Sequence, residues 1–97
     1  MAQYELGTTV RITFTFKDFQ GSNVDPTNPQ VSIYDPSGQA VVTDAAMVQS
    51  ATGVWYYDWQ SPETGLEGVY VAKATGTISS LPVQKKVRIH MVGIVPD

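Results

Sequence analysis

The chain is patterned with a period of two. In Val10-Arg11-Ile12-Thr13-Phe14-Thr15-Phe16-Lys17, apolar residues alternate strictly with Arg, Thr, Thr and Lys. Such alternation predicts a strand with one buried and one wet face. Val31 and Ile33 repeat the pattern, with Tyr34 beside them on the opposite face. Trp55, Tyr57 and Trp59 alternate with Tyr56 and Asp58. The tryptophan-bearing parity carries more apolar area and is assigned to the core, which turns Tyr56 outward. After Gly68, residues Tyr70, Ala72 and Ala74 share a face. Val83, Val87, Ile89 and Met91 then alternate with Gln84, Lys86, Arg88 and His90. Lys85 interrupts the apolar parity of that segment, so a strand end is expected there, where its ammonium reaches water. Val41-Val42 and Met47-Val48 are weaker signals and suit two short strands near an edge.

Turn chemistry separates these segments. Asp18-Phe19-Gln20-Gly21 and Asp35-Pro36-Ser37-Gly38 both open on Asp and close on Gly, as type I turns do. Asp25-Pro26-Thr27-Asn28-Pro29 is not expected in a central strand, because its prolines remove ladder donors. Ser61-Pro62-Glu63-Thr64-Gly65 suits one helical turn, with Ser as cap and Pro at the first position. The expectation is an all-β domain of about seven antiparallel strands, a sandwich or barrel. No repeat or linker divides it, so residues 1–97 form one domain.

Composition narrows the classes of function. A chain of 97 residues buries about 60–65% of its unfolded surface, enough for a thin core. There is no cysteine, which suits a reducing compartment or assembly inside a cell and leaves secretion open. The opening Met1-Ala2-Gln3-Tyr4-Glu5 has no basic region or apolar run, so no secretory leader is expected. Apolar runs fall far short of the roughly 20 residues that span a bilayer, and no membrane partner is expected. A net charge of -3 speaks against nucleic acid as a partner. Lys85, Lys86 and Arg88 cluster, but alternation splits them between faces, and they read as a solvated strand surface.

The groups that chemistry needs are sparse. The single histidine, His90, shares a parity with Lys86 and Arg88 and reads as a surface residue. One histidine and no cysteine leave too few ligands for a zinc site. Asp18, Asp25 and Asp35 sit in turns that could gather around calcium at one end of a sandwich, but aspartate in turns mostly bonds its own backbone. Gly65-x-x-Gly68 lacks the lysine and helix of a phosphate loop. Trp55, Tyr57 and Trp59 would suit a sugar-stacking platform, yet the core claims large aromatics first in a small sandwich. Neither an enzyme nor a cofactor is expected.

The most specific segment is Gly68-x-Tyr70-x-Ala72. Tyr70 is either a plain core aromatic or a tyrosine corner, whose hydroxyl folds back onto the backbone. Together with Gly7-x-x-Val10-x-Ile12, Asp18-x-x-Gly21 and Thr52-Gly53-x-Trp55, it makes the chain resemble bacterial immunoglobulin-like domains. Ala72 stands where the core cysteine of antibody domains would be, and Leu66 where an acidic residue is common. The turn Asp35-Pro36-Ser37-Gly38 and the strand Thr52-Gly53-Val54-Trp55-Tyr56-Tyr57-Asp58-Trp59 make it similar, more narrowly, to short immunoglobulin-like structural proteins of tailed bacteriophages.

That resemblance implies an immunoglobulin-like β-sandwich and a non-enzymatic virion component, a capsid decoration or a head–tail or tail accessory protein. Its partners would be capsid or tail proteins, or further copies of itself, and it would assemble in the host cytoplasm. The alternative is an extracellular adhesion or carbohydrate-binding module at a bacterial cell surface. Docking residues are expected among Tyr4 and Leu6 in the alternating N-terminal segment, Val54 and Tyr56 on the outward side of a middle strand, and Ile94 and Val95 in the apolar tail. Either terminal segment could pair within its own sandwich instead of with a neighbour.

Overall fold

Alternation becomes eight strands in two packed sheets in the computed structural model, which describes residues 3–93. The larger sheet has the order β1 (Gln3–Glu5), β8 (Leu81–Val92), β7 (Gly68–Ile78), β3 (Thr27–Tyr34), β4 (Ala40–Ala46). The smaller sheet has the order β2 (Thr9–Thr15), β6 (Val54–Gln60), β5 (Val48–Ala51). All pairings are antiparallel except β1 with β8, which is parallel. The described residues contain no helix, and so none long and apolar enough to cross a membrane.

The inner parities meet as expected. Val10, Ile12 and Phe14 of β2 are buried while Thr9, Arg11, Thr13 and Thr15 are exposed. Facing them, Val31 and Ile33 of β3 and Ala72 and Ala74 of β7 are fully buried. Trp59 and Tyr70 lock the sheets together, their rings 5.1 Å apart at 47°. Both alanines keep the larger sheet thin, which leaves room for these aromatics to interdigitate at interior packing density. Of the three aromatics assigned to the core from β6, only Trp59 is fully buried, at 3% exposure. Trp55 and Tyr57 are half-buried and pack against the rim of the core.

One edge strand serves both sheets. The chain leaves β4 after Ala46, passes through buried Met47 and continues as β5 in the smaller sheet. Asp44, with φ 49°, sets the bend: its N–H donates to Ser32 Oγ at 3.0 Å, and Ser32 is buried. Val41-Val42 and Val48 are therefore edge positions as expected, with Met47 lying between two strands.

The two Asp-x-x-Gly turns are copies of one another. In each, the Asp N–H donates to the residue four positions on, and the Gly N–H donates back to the Asp carbonyl. Asp18 Oδ1 accepts from the N–H groups of Gln20 and Ser22, and Asp35 Oδ1 accepts from those of Ser37 and Gln39. Both glycines have φ 91°. Gly53 is under tighter constraint: φ is 74°, and an added Cβ would lie 2.7 Å from the Phe16 carbonyl oxygen. The β7–β8 hairpin turns on Ser79 and Ser80, both in the left-handed region that a two-residue turn of the primed type demands.

Three local expectations are corrected. Ser61 caps no helix; its hydroxyl donates to Thr8 O at 2.7 Å and accepts from Gly7 N, tying together two loops at one end of the sandwich. Thr27, Asn28 and Pro29 do begin the central strand β3. Pro29 is tolerated because β4 joins only from Gln30 and the pairing with β7 shifts register between Thr27 and Gln30. Lys85 lies inside the 12-residue β8, opposite Ala74, and not at its end. It stays exposed because among the described residues β1 flanks only His90–Val92, so nothing covers the middle of β8. Of the two readings left open for the N-terminal segment, Gln3–Glu5 takes the intramolecular one and pairs with β8 of its own sandwich.

Candidate docking surfaces

The outer face of the smaller sheet is built by register. Thr13, Tyr56 and Val48 stand in one cross-strand row, and Arg11 stands opposite Asp58. Arg11 grips Asp58 with two hydrogen bonds, Nε to Oδ1 at 2.7 Å and Nη2 to Oδ2 at 2.9 Å. Its guanidinium also lies 4.0 Å from the centroid of the Tyr56 ring. The hydrogen bond from Arg11 holds the Asp58 carboxyl below its ordinary range, and the same bond raises the Arg11 guanidinium. Both charges stay ionised and cancel each other. The result is a flat, locally neutral surface with an ordered aromatic ring at its centre and Val48, 53% exposed, and half-buried Val54 beside it.

The expected docking residues separate accordingly. Val54 and Tyr56 share this face, joined by Val48 and Arg11, which alternation alone did not single out. Leu6 is a core residue at 5% exposure, its N–H bonded to Val92 O at 2.9 Å, so its side chain offers no contact. Tyr4 is half-buried against the core, opposite Met91. Ile94 and Val95 lie outside the described residues.

The outer face of the larger sheet is different. Lys73 stands directly opposite Lys86, Arg88 lies opposite Val71, and His90 lies opposite Val69 within 3.3 Å of the Gln3 amide nitrogen. Arg11–Asp58 is the one ion pair among the described residues, so no carboxylate answers these cations there. Asp18, Asp25 and Asp35 do not converge. The first two lie at the opposite end of the sandwich from the third, and no metal-ligating group of three acids or histidines forms among the described residues. Asp25 instead pins the β5–β6 turn, accepting from Gly53 N at 2.7 Å and from Gln49 Nε2 at 2.8 Å.

A groove of about 560 Å3 opens beyond the start of β5, lined by Val41 and Val42 across from Tyr57, Trp59 and Pro62. It is no sugar platform for Trp59, whose ring is closed into the core. Asp58 also lines it, with its carboxylate held by Arg11.

Tyr70 resolves its two readings by satisfying both. It is 1% exposed, and its hydroxyl donates to Leu66 O at 2.8 Å, four residues upstream. The fold and its surfaces define a small all-β sandwich whose distinctive chemistry lies on its sheet faces. Comparison with protein-family models, with curated proteins and with solved structures returns no match.

Proposed function

We propose that the chain is an immunoglobulin-like module acting as a non-enzymatic structural protein of a tailed-phage particle, docked through the outer face of its smaller sheet. Strand order supports the immunoglobulin-like part: β2–β6–β5 facing β8–β7–β3–β4 is the arrangement of strands B-E-D against G-F-C-C′. The Tyr70 hydroxyl bond to Leu66 O, at the start of the strand that matches F, supports it further. The observation that carries the docking role is Tyr56. An aromatic ring held by a stacked arginine, with aliphatic neighbours and compensated charge, has the make-up of an interface anchor. Tyr and Arg supply contact area with little further ordering when they are already fixed. The particle itself is inferred from the sequence resemblance.

Mass spectrometry of particles purified from the source genome tests this reading. The chain is expected there in many copies, and Tyr56→Ala is expected to reduce its incorporation at least tenfold, since an anchor is worth about 2 kcal/mol or more. Wild-type particles that lack the chain would contradict the reading.

A further inference from the structure

The longest unpaired strand edge among the described residues carries the unanswered cations. Among the described residues, β1 flanks only His90–Val92, so the N–H and C=O groups of Leu81–Val87 that point away from β7 face no strand. Lys73, Lys85, Lys86 and Arg88, four of the chain's six basic residues, lie on or beside this edge. They are on both faces: Lys85 on the inward parity with Val83 and Val87, Lys86 and Arg88 on the outward one. Lys73 and Lys86 are directly opposed, an arrangement that costs stability unless an anion lies across it. The chain as a whole is acidic, at -3, so this concentration of positive charge runs against its composition.

We infer that the β8 edge is a docking lane for an extended acidic segment of a partner protein, which adds a strand beside Leu81–Val87. Backbone groups of the edge would supply hydrogen bonds, and neighbouring acidic side chains of the segment, pointing to opposite faces, would meet Lys85 on one face and Lys86 and Arg88 on the other. A second copy is the wrong occupant, because pairing two such edges would set cations against cations. Charged edge residues and the inward-pointing lysine add to that block on self-pairing, whereas Pro82, without an N–H, limits any added strand to the remaining outward-pointing groups of the edge. Nucleic acid is disfavoured because the charges straddle two faces of one strand, whereas a phosphate backbone is met by a basic groove or face. This inference rests on the reading of the chain as a docking module but not on the identity of the particle.

The test is fluorescence anisotropy with a labelled peptide of about ten residues repeating Glu-Glu-Thr-Thr, which shows acids on both faces of a strand and is long enough to span the edge at about 3.3 Å per residue. Its Lys-for-Glu counterpart and a single-stranded oligonucleotide of equal charge serve as comparisons. The Glu peptide is expected to saturate, and to bind at least tenfold more weakly after Lys86→Glu with Arg88→Glu or when salt screens the contact. Amide exchange on the wild-type protein is expected to slow within Leu81–Val87, at the N–H groups of Gln84 and Lys86 that point away from β7, when the peptide is bound, a readout independent of the variants' folding. Tighter binding of the oligonucleotide, peptide binding without protection of Leu81–Val87, or no peptide binding would each overturn the inference. Tyr56→Ala is expected to leave peptide binding unchanged while reducing incorporation into particles, so the two surfaces can fail separately.

Discussion

The outer faces of the two sheets are made of similar residues and behave as opposites. On the smaller sheet, register sets Arg11 opposite Asp58, and the pair closes on itself and steadies Tyr56. On the larger sheet, register sets Lys73 opposite Lys86, and neither finds a carboxylate among the described residues. The first face has spent its charge internally and offers an aromatic, salt-tolerant surface. The second holds its charge in reserve beside an unpaired edge. The lesson is that pairing, more than composition, decides whether a charged strand face is finished or waiting.

Both faces depend on the contact between the sheets, so the largest effect comes from breaking it. Trp59→Ala is expected to cost about 3–5 kcal/mol, since it removes a buried ring in contact with Tyr70 and leaves a cavity. Urea denaturation would show it; a loss below about 1 kcal/mol would mean that the sheets pack otherwise.

Next is the Tyr70 hydroxyl, which holds the start of β7 to the loop before it. Tyr70→Phe is expected to cost about 1–2 kcal/mol by leaving the Leu66 carbonyl without this donor. Burial, with a smaller effect from the Asp35 charge, holds the phenol above its ordinary value of 10.0. The native state therefore keeps this proton more tightly than the unfolded chain. Its stabilising contribution is complete below about pH 10 and is lost as pH rises through the raised value. Thermal melts from neutral to alkaline pH should show that decline in the wild type and a shallower one in Tyr70→Phe.

The smallest expected effect addresses the comparison most sharply. Lys86→Glu turns the opposed lysines into an ion pair across β7 and β8 and is expected to raise stability by about 0.2–1 kcal/mol. The mirror change on the other face, Asp58→Lys, sets two cations opposite one another and is expected to lower the melting temperature. Equal shifts of the same sign in both variants would show that register does not govern these faces.

Much of the fold was legible in the sequence because alternation is a local property. The parities of β2, β3, β7 and β8 gave the core positions, and Asp-x-x-Gly gave both self-capped turns. What stayed hidden depends on partners distant in the chain. Lys85 looked like a strand end because an exposed cation on an apolar parity suggests termination; the structure shows a mid-strand residue at an edge no other described strand covers. Ser61 looked like a helix cap because Ser-Pro is a local signal, whereas its partners, Gly7 and Thr8, lie more than fifty positions away. Of the residues on the proposed docking face, the outward placement of Val54 and Tyr56 follows from parity. Arg11 and Val48 were not, since only register brings them beside Tyr56. Leu6 follows β1 into the core because the parallel pairing with β8 continues through its N–H.

Site-specific photo-crosslinking in the proposed particle tests the proposed docking face most directly. A benzophenone amino acid would replace Tyr56, with Thr75 on the outer face of the larger sheet as the comparison position. The account predicts a covalent adduct between position 56 and another particle protein, undiminished by high salt during assembly. An adduct from position 75 and none from position 56 would contradict it.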